Sequence, residues 1–216
     1  MESSLNSLAL LANYILVPGL AYGSQLALGA LGVTMIYAVL NFSNFSHGEI
    51  MSFGAMITIL VTYWFQGLGI SVHPLPTALI ALPVGIVGAI LLCLLLDRLV
   101  FSFYRQQRAN SVTYLIVSIG VMFVIGGITR FIIGPDDRNF NDGERFILKA
   151  RAFKEMTGLS EGVAIKSSQA ITVASAFIVV AAVFWFLSRT RTGKSMRAYS
   201  NNPDLALLSG INPNEM

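Results

Sequence analysis

The stretch "GLAYGSQLALGALGVTMIYAVLNFSNFSHGEIMSFGA", residues 19–55, decides how the chain is read. No residue between Glu2 and His47 carries a full charge, and then Asn41, Ser43, Asn44, Ser46, His47 and Glu49 arrive together before the chain turns apolar again. A membrane-crossing helix needs about 20 mainly apolar residues. The first half of the stretch is therefore a span, and the polar cluster either ends it in water or interrupts a helix inside a bundle.

Composition agrees: 55% hydrophobic and 12% charged residues with a mean hydropathy of +0.69 exclude an ordinary soluble domain. Apolar runs near Leu20–Leu40, Ile50–Phe65, Thr77–Leu96, Val112–Ile133 and Ala170–Leu187 predict an all-α polytopic bundle of about five or six spans. Residues 5–17 form a shorter apolar run closed by Pro18 and Gly19, and an interfacial helix is preferred there over a sixth span. The start MESSLNS has no basic region or small-residue cleavage site, so no removable signal peptide is expected. Residues 1–188 read as the transmembrane domain and 189–216 as a cytoplasmic segment.

Basic residues set the orientation. Arg98, Arg105 and Arg108 follow the third span against Asp97, and Arg189, Arg191, Lys194 and Arg197 follow the fifth, so both loops are expected in the cytoplasm. Residues 134–168 balance Arg138, Arg145, Lys149, Arg151, Lys154 and Lys166 against Asp136, Asp137, Asp142, Glu144, Glu155 and Glu161, as an extracytoplasmic loop allows. The net charge of +3 reports this orientation and no nucleic-acid partner. His73 reads as a solvated histidine in the outer turn, and lone Cys93 as a small buried hydrophobe without a disulfide.

Within the first span Gly19, Gly23, Ala27, Ala30, Thr34 and Ala38 recur at steps of three or four and share one helix face, which would let another helix approach closely. The sequence "SRTRTGKS", residues 188–195, ends like a phosphate-binding loop but has Ser188 in place of the first glycine and follows an aromatic-rich span; no nucleotide site is expected. His47 and Glu49 lack the spacing and companions of a metal site, and no catalytic residue is assigned.

Three readings fit the polar cluster: a turn in water, a proton relay through His47 and Glu49, or a helix broken near residues 41–49 within the bundle. In the last, Asn41 or Asn44 satisfies freed backbone groups, Gly48 permits a non-helical dihedral, and a new helix starts near Ser46 with Glu49 favourable in its first turn. Asn41, Asn44, Ser46, His47, Gly48 and Glu49 are then the candidate pathway for a polar solute. Near the C-terminus Asn202 suits an N-cap, Pro203 the first helical position, Asp204 the helix dipole and Gly210 a left-handed stop. Leu205, Leu208 and Ser209 give this short helix an apolar face that needs a partner surface.

The stretch from Gly19 onward resembles the permease subunits of branched-chain amino acid ABC importers, whose pattern is G-x-x-x-G-x-x-x-A-L-x-A-L-G-x-T-x-I-Y-G-x-x-x-x-x-N-F-A-H-G-E. Gly19, Gly23, Ala27, Leu28, Ala30, Leu31, Gly32, Thr34, Ile36, Tyr37, Asn44, Phe45, His47, Gly48 and Glu49 match; Ala38 and Ser46 depart from it. "YLIVSIGVMFVI" and "SRTRTGKSMRAYSNNPDLALLSGIN" are similar to the family's fourth segment and cytoplasmic loop. The resemblance implies a multi-pass bacterial inner-membrane permease that pairs with a second, related permease, docks two ATP-binding cassette subunits through the 203–209 helix, and receives an amino acid from an extracytoplasmic binding protein. Asn202, Pro203, Asp204, Leu205, Leu208 and Gly210 would form that coupling element, with ATP held by the partners and no cofactor in this chain. Family members are expected to have about three further spans, so the chain reads as a C-terminally truncated fragment. A urea or short-amide permease of the same family and a proton-coupled transporter are the alternatives.

Overall fold

The computed structural model describes residues 2–40, 42–70, 75–107, 109–136, 138, 145–158 and 160–210. Asn41, His73, Arg108, Asp137, Asp142 and Glu144 lie outside the described residues. The chain forms two units, residues 1–39 with 145–216, and residues 40–144.

In the first unit helix α1 (Glu2–Leu11) passes through a wider turn, Ala12–Leu16, straight into α2 (Val17–Leu40). The expected separate interfacial helix is thus corrected: Pro18 does not close the segment. In the wider turn the Val17 amide bonds the Ala12 carbonyl five residues back. Shifting the bonding register in this way makes room for a ring that would clash in a regular helix. Apolar Asn6–Ala38 is one candidate span. Strand β1 (Phe146–Leu148), helix α7 (Ala150–Thr157) and strand β2 (Ile165–Lys166) follow, the strands pairing antiparallel. Two asparagines of the N-terminal helix hold this segment: Asn6 Oδ1 accepts from the Glu161 amide (3.3 Å) and Asn13 Oδ1 from the Ala164 amide (3.1 Å). Gly162 packs so tightly on Ala150 that an added Cβ would meet its carbonyl carbon at 2.9 Å.

Helix α8 (Ser167–Arg189) is the last span, and α9 (Arg191–Asn201) and α10 (Pro203–Leu208) continue from it. At the α8–α9 corner Thr190 Oγ1 donates to the Phe186 carbonyl (2.7 Å) and accepts from the Gly193 amide (3.0 Å). Buried Gly193 lies where a Cβ would sit 2.6 Å from Leu187 Cα. This glycine serves close packing at the corner.

The second unit contains α3 (His47–Gly67), α4 (Ala78–Leu96), a wider turn (Asp97–Phe101), α5 (Ser102–Gln106) and α6 (Ser111–Ile133). The third span runs unbroken from Ala78 to Gln106, so Arg98 and Arg105, expected in a loop, lie on helix, with Arg105 paired to Asp97. Close packing occurs where α3 meets α4. Gly54, Thr58 and Thr62 face Ala81, Gly85 and Ala89, both sets at steps of four; Ala81 and Thr62 are fully buried. Gly54 would place a Cβ 3.1 Å from Ala89 Cβ. Small side chains bring helix backbones together where lipid supplies no hydrophobic drive. The α2 stripe behaves otherwise: Gly19, Gly23, Ala27, Ala30 and Thr34 are exposed, Ala38 is half-buried, and an added Cβ at Gly19 or Gly23 would meet nothing within 4 Å. Cys93, expected buried, is also exposed.

Candidate functional site

The apolar run of α2 ends at Leu40 and helix resumes at His47, so the break expected near residues 41–49 is present at 42–46. It is docked on α6. Phe42 is buried and stacks on Tyr114 with ring centroids 5.0 Å apart, and it approaches Phe101 at 6.2 Å. The Phe45 amide donates to Ser118 Oγ (3.2 Å), and that hydroxyl donates onward to the Leu115 carbonyl (2.7 Å). Asn44 Oδ1 accepts from both the amide (3.1 Å) and the hydroxyl (2.6 Å) of Ser46. Asn44 therefore does what was expected of it, satisfying a freed backbone group. Fully buried Ser46 turns its hydroxyl back to Asn44, and no side chain caps α3.

Depth follows from helix geometry. Ser118 lies seven residues into α6, which at 1.5 Å per residue is about 10 Å from its first residue. A break anchored there is well within the length of a spanning helix. Glu49 goes deeper. Its carboxylate lies against Gly126, where an added Cβ would be 3.2 Å from Cδ, and Gly126 is fifteen residues, about 22 Å, along α6.

Three site residues behave differently from expectation. Gly48 adopts ordinary helical geometry in the first turn of α3, so the special dihedral expected of it is corrected; it is exposed, and an added Cβ would meet nothing within 4 Å. His47 and Glu49 are both helical and two residues apart, which sets their side chains about 200° apart. They cannot form one acid/base pair on one face. Glu49 shares its face with Ser52, Met56 and Ile59, opposite the face carrying Gly54, Thr58 and Thr62. Helix α3 thus presents a close-packed face to α4 and a polar-to-apolar face to α6.

One turn beyond Glu49 and Gly126 the α3–α6 seam opens into a cavity of about 190 Å³ lined by Ser52, Ala55, Met56, Ile59, Thr129, Ile133, Asp136 and Arg138. Thr129 is 6% exposed and its hydroxyl has no hydrogen-bond partner among the described residues. A buried, unpaired hydroxyl costs about 1–3 kcal/mol. Sequence reading missed Phe42, Ser118, Gly126 and Thr129, whose roles come from pairings some 70 residues distant in the chain. Among the described residues no group of three metal-ligating side chains assembles.

The C-terminal helix has the expected caps. Asn202 Oδ1 accepts from the Leu205 amide (3.1 Å), Pro203 is the first helical residue, Asp204 lies in the first turn, and Gly210 has φ 79°. Ala206 is buried, whereas Leu205 and Leu208 are 60% and 85% exposed.

Among the described residues five helices are long and apolar enough to span a membrane, one of them starting from a polar break docked on α6, which defines a polytopic membrane protein. The family model for the permease component of branched-chain amino acid transport systems matches residues 15–216, and the chain belongs to that family. It is a multi-pass protein of the bacterial inner membrane. It is similar to the high-affinity branched-chain amino acid transport system permease protein BraD of Pseudomonas aeruginosa, 28% identical over 93% of this chain and 63% of that protein. The LivH permease proteins of Salmonella typhimurium and Escherichia coli are 24% and 25% identical over 90% of this chain and 60% of theirs. The chain thus spans about 60% of the length of the curated relatives it matches. No solved structure matches.

Proposed function

We propose that this chain is a permease subunit of an ATP-driven importer, and that its substrate is a branched-chain amino acid. The observation that carries the reading is the polar break of residues 42–46, docked on α6 about 10 Å inside a spanning helix, in a chain of this family. Polar groups are costly at such depth and repay their cost by handling a polar solute. On this reading Asn44, Ser46 and Glu49 line the route, and His47 and Gly48 hold the start of α3.

A proton-coupled mechanism through His47 and Glu49 is disfavoured by their opposite positions on α3. ATP is instead used by two cassette subunits docked on the cytoplasmic α10, whose exposed Leu205 and Leu208 offer an apolar face too short to be stable alone. A second related permease completes the path, and an extracytoplasmic binding protein delivers the substrate near residues 134–168. Residues 1–188 constitute the membrane domain and 189–216 the coupling segment.

Deletion of the gene tests the assignment. Uptake of labelled leucine, isoleucine and valine at low concentration should fall to background while urea uptake is unchanged. Loss of urea uptake with normal leucine uptake would transfer the chain to the amide branch of the family.

A further inference from the structure

The α3–α6 cavity combines features that the break does not. Asp136 and Arg138 stand at its rim, just beyond the end of α6, and no ion pair joins them among the described residues. Arg138 Nη2 donates to the Ile133 carbonyl (2.9 Å), which fixes the guanidinium at the rim while leaving its other N–H groups available. Below them Met56 and Ile133 make an apolar wall, and Ser52 and Thr129 follow towards Glu49. A cation and an anion two residues apart over an apolar wall match a small molecule that carries both charges and an aliphatic body.

We infer that this cavity is a receiving site for the zwitterion of an aliphatic amino acid, with Arg138 binding the carboxylate, Asp136 the ammonium group, and Met56 and Ile133 the side chain. Its volume, about 190 Å³, is below the ~300–1,000 Å³ of pockets for drug-sized ligands and suits a single amino acid. The site lies on the same seam as Glu49, one turn away, so a bound amino acid is poised at the head of the proposed route. The inference rests on the importer reading for its physiological substrate, but the site can be tested separately from it.

Ser52 is exposed at the cavity wall, and Ser52→Cys in a Cys93→Ser background gives a single thiol. In membranes holding the assembled transporter, the rate of its modification by a charged methanethiosulfonate should fall when leucine is added. At about ten times the half-protecting concentration the expected slowing is about tenfold. Leucinamide, without a carboxylate, and 4-methylpentanoate, without an ammonium group, should protect poorly. Adding Arg138→Gln should weaken leucine protection about tenfold or more, with each protected rate compared with the same variant's own unprotected rate. ATP-driven leucine uptake is measured in vesicles carrying the unmodified protein. Uptake without protection overturns the site and keeps the importer reading. Protection without uptake keeps the site and overturns the importer reading, and absence of both overturns both. Equal protection by leucine and leucinamide overturns the charge assignment.

Discussion

Replacing Gly85 by alanine should loosen the α3–α4 pair, by an amount the structure sets. An added Cβ would lie 2.7 Å from the Gly54 carbonyl oxygen and 3.2 Å from Thr58 Cβ, and would overlap Thr58 Oγ1. Carbon–carbon contacts are comfortable at about 3.5–4.0 Å and carbon–oxygen contacts at about 3.3–3.6 Å. The obstacle is backbone, which no rotamer change removes, so the helices must part by roughly 0.5–1 Å, forfeiting a quarter to a half of the attraction between facing atoms. The Thr58 hydroxyl already donates to the Gly54 carbonyl (3.0 Å), a bond the new methyl would displace. Overpacking of this kind costs about 1–3 kcal/mol, and the better helix propensity of alanine returns up to about 1 kcal/mol. A net loss of about 1–2 kcal/mol is expected, a factor of about 5–30 in the folded ratio. Gly23→Ala is the control, because a Cβ there meets nothing within 4 Å. Helical circular dichroism during titration with dodecyl sulfate in mixed micelles reads both. If Gly85→Ala unfolds at the same detergent fraction as Gly23→Ala, the close α3–α4 contact is not a source of stability.

Ser118→Ala should remove the acceptor of the Phe45 amide, at a cost of about 1–3 kcal/mol, and speed amide hydrogen exchange at residues 44–46; unchanged exchange would mean the break is not anchored on α6. Asn13→Ala should free the Ala164 amide at about 1 kcal/mol, and faster proteolysis in the segment carrying residues 160–166 checks it. Leu205→Asp should leave insertion intact, since the side chain is 60% exposed, yet reduce copurification of the ATPase subunits and their stimulation by loaded binding protein. Thr129→Val removes a buried hydroxyl without a partner among the described residues and should keep or raise stability in the same detergent titration; destabilisation would show that the hydroxyl has a structural bond.

What the sequence made legible was local. Span length and hydropathy located the second, fourth and fifth candidate spans to within about three residues at each end but missed the N-terminal extension of the first to Asn6 and the continuation of the third to Gln106, and the caps of α10 were read correctly because Asn202, Pro203 and Gly210 act on their immediate neighbours. The break was legible because a run of polar residues cannot lie in hydrocarbon unexplained. Pro18 misled, since a wider helical turn absorbs the ring and periodicity alone does not reveal it. The stripe on α2 and the pair of stripes on α3 and α4 are equally regular, but which stripe is packed within the chain depends on where helices meet. Contacts such as Phe45 with Ser118 and Glu49 with Gly126 are likewise fixed by tertiary pairing. The opposite facing of His47 and Glu49, by contrast, follows from placing both on one helix.

Leucine uptake by Glu49→Gln and His47→Gln variants, each in the assembled transporter with ATP supplied and the proton gradient collapsed, tests the α3–α6 route most directly. Uptake by the unmodified protein should survive collapse of the gradient. Glu49→Gln should lower it about tenfold or more, as loss of one charged hydrogen-bonding group does, with assembly unchanged, whereas His47→Gln should retain most of it. Full uptake by Glu49→Gln, or a dependence on the proton gradient in the unmodified protein, would contradict the account.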